Sequence, residues 1–276
     1  MVHHIADTVE LNNGVRMPWF GLGVYKAQEG AEVEQAVRLA LSLGYRSVDT
    51  AALYGNEAGV GRAVRDSGVA RDEIFLTTKV WNSDQGYDAT LDAFAKSRER
   101  LGVDYVDLYL IHWPVKEKYR ETWRALEKLY EDGLIRAIGV SNFQIHHLQE
   151  IEHISSVVPA VNQVECHPFL SQAPLREYCH RRGVRLEAWA PLMRGAALQN
   201  PVVLDIASAH GRTPAQVVLR WSLQHEVIII PKSVTAARIH ENAGIFDFVL
   251  TADEMSRVDA LNRDQRTGPD PDDFDF

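Results

Sequence analysis

Eight short apolar runs, most followed by an amphipathic stretch of ten or more residues, set the tightest limit on what this chain can fold into. The runs read as strands at Phe20–Val24, Ser47–Asp49, Ile74–Thr78, Val106–Ile111, Ile135–Val140, Ala160–Val164, Arg185–Trp189 and Val227–Ile230. Helical patterns separate them at Ala31–Leu43, Glu57–Ser67, Tyr87–Leu101, Arg120–Asp132, Gln144–His153, Pro174–Arg182 and Pro201–Gln224. The last of these breaks near Gly211 and restarts at Thr213-Pro214, an N-cap followed by proline in the first turn. Ala236–Ala243 and Ala252–Leu261 supply extra helices near the C-terminus. Near-continuous apolar runs, rather than alternating ones, belong to strands buried on both faces, as in a parallel sheet. The count and the length favour a closed (β/α)8 TIM barrel over an open doubly wound sheet.

Ahead of the first barrel strand, Asn13-Gly14 lies between short alternating segments. Both residues tolerate positive φ, so residues 1–18 are expected to form an N-terminal β-hairpin. The tail, Asn262–Phe276, carries two prolines and five aspartates and is expected to be an irregular surface segment. No linker or composition break precedes it, so residues 1–276 read as a single barrel domain.

The formal charge of −9 is spread along the chain, which argues against the basic stripe of a nucleic-acid-binding protein. Cys166 and Cys179 form no CxxC and have no second pair, as expected of buried thiols in a reducing compartment. The opening residues lack a charged-then-apolar leader, and no apolar run reaches the roughly 18 residues that span a bilayer. The expectation is a cytoplasmic monomer acting on a small molecule, without membrane or nucleic-acid partners and without a metal.

Barrel enzymes carry their sites at the C-terminal strand ends. Here those ends deliver Asp49 with Tyr54 in the loop behind it, Lys79, His112, Ser141-Asn142, Gln163, Trp189 and Lys232-Ser233. Asp49, Tyr54, Lys79 and His112 have a joint logic. A tyrosine titrates near pH 10 and unaided is a poor acid at neutral pH. A nearby ammonium lowers that value, and a carboxylate holds the ammonium in place. A histidine that donates to the same substrate oxygen completes a device for delivering a proton to a carbonyl. Such a site needs a reductant, yet the chain has no complete GxGxxG, no Gly-x-Ser-x-Gly elbow and no Tyr-x-x-x-Lys. A hydride donor could instead bind across the barrel mouth. Lys232, Ser233, Arg238 and Asn242 surround the start of a helix where a phosphate is favoured, with Ser233 or Thr235 as its cap.

The chain strongly resembles the aldo-keto reductases. The residues that carry the likeness are Gly44-Tyr45-Arg46-Ser47-Val48-Asp49-Thr50-Ala51-Ala52-Leu53-Tyr54-Gly55-Asn56-Glu57 and Leu108-Tyr109-Leu110-Ile111-His112-Trp113-Pro114. Gly139-Val140-Ser141-Asn142-Phe143 and Ile230-Pro231-Lys232-Ser233 follow in the family's order. The resemblance implies a barrel that binds NADPH/NADP+ in extended form. It implies Tyr54 as general acid, Lys79 as its partner, Asp49 as the orienter of that lysine, and His112 as the donor to the substrate oxygen. By the same likeness Ser141, Asn142 and Gln163 hold the carboxamide, and Trp189 stacks on the nicotinamide. Lys232, Ser233 and Arg238 clamp the 2′-phosphate, with Asn242 near the adenine. Tyr25, Trp81, Trp113 and Met193 are expected to wall the substrate pocket.

Within the family the likeness runs closest to bacterial glyoxal/methylglyoxal reductases, on Met17–Val24, Lys79–Tyr87 and Thr122–Tyr130. The implied activity is NADPH-dependent reduction of aldehydes and ketones, broad and including methylglyoxal- and glyoxal-type dicarbonyls. 2,5-Diketo-gluconate reductase or prostaglandin F synthase activity is an alternative. Two other classes compete: a non-catalytic NADPH-sensing barrel, and a glycosidase built on Glu165 and Glu187. The glycosidase leaves Tyr54, Lys79 and the Lys232–Arg238 cluster without a role.

Overall fold

The protein is described by a computed structural model covering residues 2–276. The hairpin forms where Asn13-Gly14 predicts it, pairing β1 (Thr8–Glu10) antiparallel with β2 (Arg16–Pro18). Gly14 takes φ 82°, which its missing Cβ makes cheap. The hairpin is not a loose appendage. Val9, Leu11 and Met17 pack in one apolar cluster with Phe75, Leu108, Leu110 and Ala137, which closes the floor of the barrel.

Eight parallel strands follow: β3 (Leu22–Gly23), β4 (Ser47–Asp49), β5 (Phe75–Val80), β6 (Val106–Ile111), β7 (Ile135–Ser141), β8 (Val161–Glu165), β9 (Arg185–Trp189) and β10 (Ile228–Ile229). Parallel bridges Phe20↔Ile229 and Gly23↔Lys232 join the first to the last, so the sheet closes into the expected barrel. The closing contact is tight. A Cβ on Gly23 would lie 2.8 Å from the Ile230 carbonyl oxygen, so only glycine lets these backbones meet. The first strand is shorter than the apolar run Phe20–Val24, because Phe20 and Gly21 already serve the closing ladder. Conversely β5 runs two residues beyond Thr78, which carries Lys79 inside the strand rather than after it.

The crossover helices are α1 (Ala31–Ser42), α2 (Glu57–Arg65), α3 (Tyr87–Leu101), α4 (Tyr119–Glu131), α5 (Ile145–Ile154) and α6 (Ala173–Arg181). After β9, α7 (Pro201–His210) and α8 (Pro214–Gln224) are separate, as the Gly211 break predicts. Gly211 ends α7 in the left-handed region, and Thr213 starts α8 with a capping box closed by Gln216. The extra helices are α9 (Ala236–Asn242) and α10 (Ala252–Asp259).

The tail is an irregular surface segment, as expected, and its path carries it across the barrel mouth. Arg263 and Gln265 donate backbone N–H groups to the Phe169 carbonyl, Thr267 and Gly268 dock on Glu165, and Phe274 and Phe276 reach Trp113. Its five aspartates are exposed, while two phenylalanines and a handful of backbone donors decide its path.

Candidate active site

Asp49 ends β4, and its carboxylate sits 2.6 Å from the Nζ of Lys79 on neighbouring β5. Both side chains are buried. Lys79 spends its other donors on the Thr50 carbonyl at 3.0 Å and the Tyr54 hydroxyl at 3.3 Å. Tyr54 closes a short 3-10 turn, Ala52–Tyr54, that Gly55 terminates at φ 66°. Asn56 fixes this loop from behind. Its amide donates to the Val24 and Ala27 carbonyls, and its oxygen takes the Thr50 hydroxyl. His112, just past β6, lies edge-on to Tyr54 with ring centroids 5.8 Å apart. The four residues expected to act together therefore do meet.

Their electrostatics sharpen the expected roles. Burial by itself would strip the proton from Lys79, but Asp49 and then Tyr54 outweigh it, and its pKa lies above the ordinary value. Burial also pushes the Tyr54 phenol up to about 12, against the pull of Lys79. Lys79 thus acts in the expected direction without bringing the phenol below its ordinary range. Tyr54 is a protonated phenol at neutral pH. Burial, reinforced by Lys79, holds the His112 pKa well below its usual value, so the ring is neutral and has one N–H to give.

On the opposite wall, Ser141 and Asn142 follow one another at the end of β7, and Gln163 lies beside Ser141 in register. Asn142 adopts φ 64°, and its side chain donates to the His112 carbonyl at 3.0 Å. Its oxygen accepts from the Trp189 indole at 2.8 Å, which fixes the plane of that ring. Gln163 donates to Asp49 at 2.7 Å and to Glu187 at 2.7 Å. A polar chain thus runs unbroken from Tyr54 through Lys79, Asp49 and Gln163 to Glu187. Sequence reasoning noticed Glu187 only as a glycosidase candidate. Its place opposite Gln163 follows from the β8–β9 register.

Lys232 and Arg238 are exposed and form no ion pair among the described residues. Ser233 and Asn242 are buried. The expected helix cap is not made. Ser233 instead bonds within its own turn, accepting the Thr235 N–H at 3.1 Å, and neither hydroxyl caps α9. Among the described residues no side chain caps the start of α9.

The rim is aromatic. Tyr25 packs 5.0 Å from Tyr54, and Trp81 packs 5.1 Å from His112. The tail completes it, for Phe276 stacks within 6° of parallel on Trp81 and both tail phenylalanines lie 5.2 Å from Trp113. Phe274 and Phe276 escape sequence reasoning because no periodicity marks them. Met193 does not join this rim. It is buried with Phe169, Ala197, Val203 and Trp221 in a second core under the β9 loop, where its apolar side chain is better shielded from water. Glu165 serves the tail: its carboxylate accepts from Thr267 N at 2.7 Å, Gly268 N at 3.0 Å, the Thr267 hydroxyl and His167. Farther along, Asp272 lies 3.2 Å from His146 and 3.7 Å from His147.

With barrel and tetrad in place, the class is settled by comparison. The Aldo/keto reductase family matches residues 19–263, and this chain belongs to that family. It is an oxidoreductase. A glyoxal reductase of Bacillus subtilis (strain 168) is 60% identical over 272 residues, covering 99% of each chain. The 9,11-endoperoxide prostaglandin H2 reductase of Trypanosoma cruzi (strain CL Brener) is 55% identical, over 97% of this chain and 96% of its own. Among solved structures, an aldo-keto reductase from a Medee basin deep-sea metagenome library superposes with a TM-score of 0.95 at 44% identity, covering 97% of this chain and all of its own. A Gox0644 mutant in complex with NADPH superposes at 0.94 with 46% identity, covering 98% and 99%. Among the described residues no helix is long and apolar enough to cross a membrane.

Proposed function

We propose that residues 1–276 form one barrel domain that reduces aldehydes and ketones to alcohols with NADPH, Tyr54 acting as the general acid. The observation that carries this reading is the convergence of a protonated phenol, a buried ammonium and a neutral imidazole at one mouth. Bound NADPH supplies two electrons and a proton as a hydride to the carbonyl carbon. The residues present fit that cofactor. Ser141, Asn142 and Gln163 offer polar groups for a carboxamide, Trp189 offers a ring face, and Lys232, Ser233 and Arg238 offer unpaired cations and a hydroxyl to a 2′-phosphate, with Asn242 behind them.

Tyr54 and His112 hold the substrate oxygen between them. As negative charge grows on that oxygen, Tyr54 passes its proton over, and the adjacent Lys79 ammonium stabilises the phenolate left behind. Asp49 keeps Lys79 charged and aimed throughout. Tyr25, Trp81 and Trp113 exclude water around the carbonyl. Because the rim is aromatic, we assign a broad range of aldehydes that includes methylglyoxal- and glyoxal-type dicarbonyls, the direction in which the B. subtilis relative points. We further propose that the protein works as a monomer in the cytoplasm, where its two free, buried cysteines would stay reduced.

Tyr54→Phe tests it. Turnover should fall by about 10²–10⁴-fold with NADPH binding nearly intact. Undiminished turnover in that variant would sink the acid assignment. A panel of methylglyoxal, phenylglyoxal and diketo sugars, with NADPH and NADH compared, defines the substrate and checks the phosphate clamp. A preference for NADH would remove the roles given to Lys232 and Arg238.

A further inference from the structure

Gln163 is expected to hold the nicotinamide carboxamide, but a glutamine amide can be flipped, and only one of its two faces suits any given partner. What sets the flip lies behind it. Gln163 Nε2 points into the barrel and donates one N–H to Asp49 Oδ2 and the other to Glu187 Oε2, each at 2.7 Å. The reverse flip would aim a carbonyl oxygen at the Asp49 carboxylate that holds Lys79. Among the described residues no donor reaches Gln163 Oε1, and that oxygen is not among the enclosed polar atoms without a partner. It faces the mouth.

Asp49 alone could attract the NH2, but it would satisfy one N–H and leave the amide plane free to swing. The second acceptor fixes the plane. That acceptor comes from the register, since Glu187 and Gln163 are direct partners on β9 and β8. Among the described residues Glu187 makes no other hydrogen bond, and its further influence is the charge it sets near Lys79. It is fully buried, and its Oε1 has no hydrogen-bond partner. An unsatisfied buried carboxyl oxygen costs stability, so packing does not account for it.

We propose that Glu187 is a positioning residue for cofactor binding: with Asp49 it clamps the NH2 of Gln163 and so presents the amide oxygen to the carboxamide of NADPH. This rests on the reading that Gln163 holds that carboxamide. The groups facing Glu187 are Asp49, Lys79 and Gln163. Burial, and next Asp49, raise its pKa to about 8, while Gln163 and Lys79 pull the other way. At neutral pH the side chain is therefore mainly the neutral acid, with a carbonyl-type oxygen toward Gln163. A glutamine at 187 retains such an oxygen. A leucine does not.

Direct titration with NADPH, and with 2′,5′-ADP as a probe that lacks the nicotinamide, separates the possibilities. Glu187→Leu should weaken NADPH by about five-fold, the worth of one neutral hydrogen bond, and leave 2′,5′-ADP unchanged. Glu187→Gln should recover the parent affinity. Glu187→Leu combined with Gln163→Leu should bind no more weakly than Gln163→Leu alone, since both act through one contact. Parent affinity in Glu187→Leu, with Gln163→Leu weakened, overturns the clamp and leaves the cofactor reading standing. Equal loss of both ligands also overturns it, because that is general distortion. Unchanged NADPH binding in Gln163→Leu overturns the reading of Gln163 itself. Should the leucine variant fail to fold, Glu187→Met asks the same question.

Discussion

Glu165 at the end of β8 and Glu187 inside β9 are both buried, yet their surroundings drive them in opposite directions. For Glu165 burial is outweighed by hydrogen bonds from His167, Thr267 and Gly268, and its pKa falls to about 2. For Glu187 burial wins, with Asp49 adding to it, and the pKa rises to about 8. Donor supply makes the difference. Glu165 lies where an irregular segment crosses, and backbone N–H groups free of any ladder turn toward it. Glu187 lies among strands whose N–H groups are already spent on the sheet, so a single amide from Gln163 is all it receives. The outer carboxylate latches the tail, and the inner one takes an N–H of Gln163.

The contrast should be largest in stability. Glu165→Ala leaves several donors without an acceptor and is expected to cost about 3 kcal/mol by chemical denaturation. Glu187→Leu removes an unsatisfied polar group and should change stability by less than about 1 kcal/mol at pH 7, or improve it. Equal losses at the two positions would break the comparison.

A second effect follows from protonation. The folded pKa of Glu165 is depressed, so its contribution is present above the unfolded value of about 4.5 and is lost as pH falls toward about 2. Glu187 has the opposite sign. Its folded form holds the proton more tightly, so stability declines as pH rises from about 4.5 to about 8. Glu187→Gln should abolish that alkaline slope and Glu165→Gln the acid one, read from midpoints of unfolding across pH. A Glu187→Gln variant that keeps the parent slope would place the titration elsewhere.

The smallest effect concerns the tail that Glu165 anchors. Gly268 sits against Trp189, where a Cβ would come 2.5 Å from the indole, so the latch presses the tail on the ring expected to meet the nicotinamide. Phe274→Ala should raise KM for an aromatic aldehyde a few-fold, an effect of about 1 kcal/mol, with little change in kcat or in NADPH affinity. A matching loss with methylglyoxal would show that the ring supports the site rather than selecting substrate.

The eight strand runs, the hairpin at Asn13-Gly14, the α7–α8 break and the tetrad of Asp49, Tyr54, Lys79 and His112 were all legible in the chain. Each depends on local signals: apolar period, turn chemistry, capping, and residue types that follow strand ends. The path of the tail, the burial of Met193, the uncapped N-terminus of α9 and the aromatic pair Phe274 and Phe276 were not. They depend on partners distant in sequence, which no window of neighbouring residues contains. Sequence determined that a barrel would form and which strand-end side chains would meet at its mouth, because strand ends of a closed parallel sheet converge by geometry. Tertiary structure decided what each buried carboxyl does, because register set Glu187 behind Gln163 and the crossing tail brought its backbone donors to Glu165.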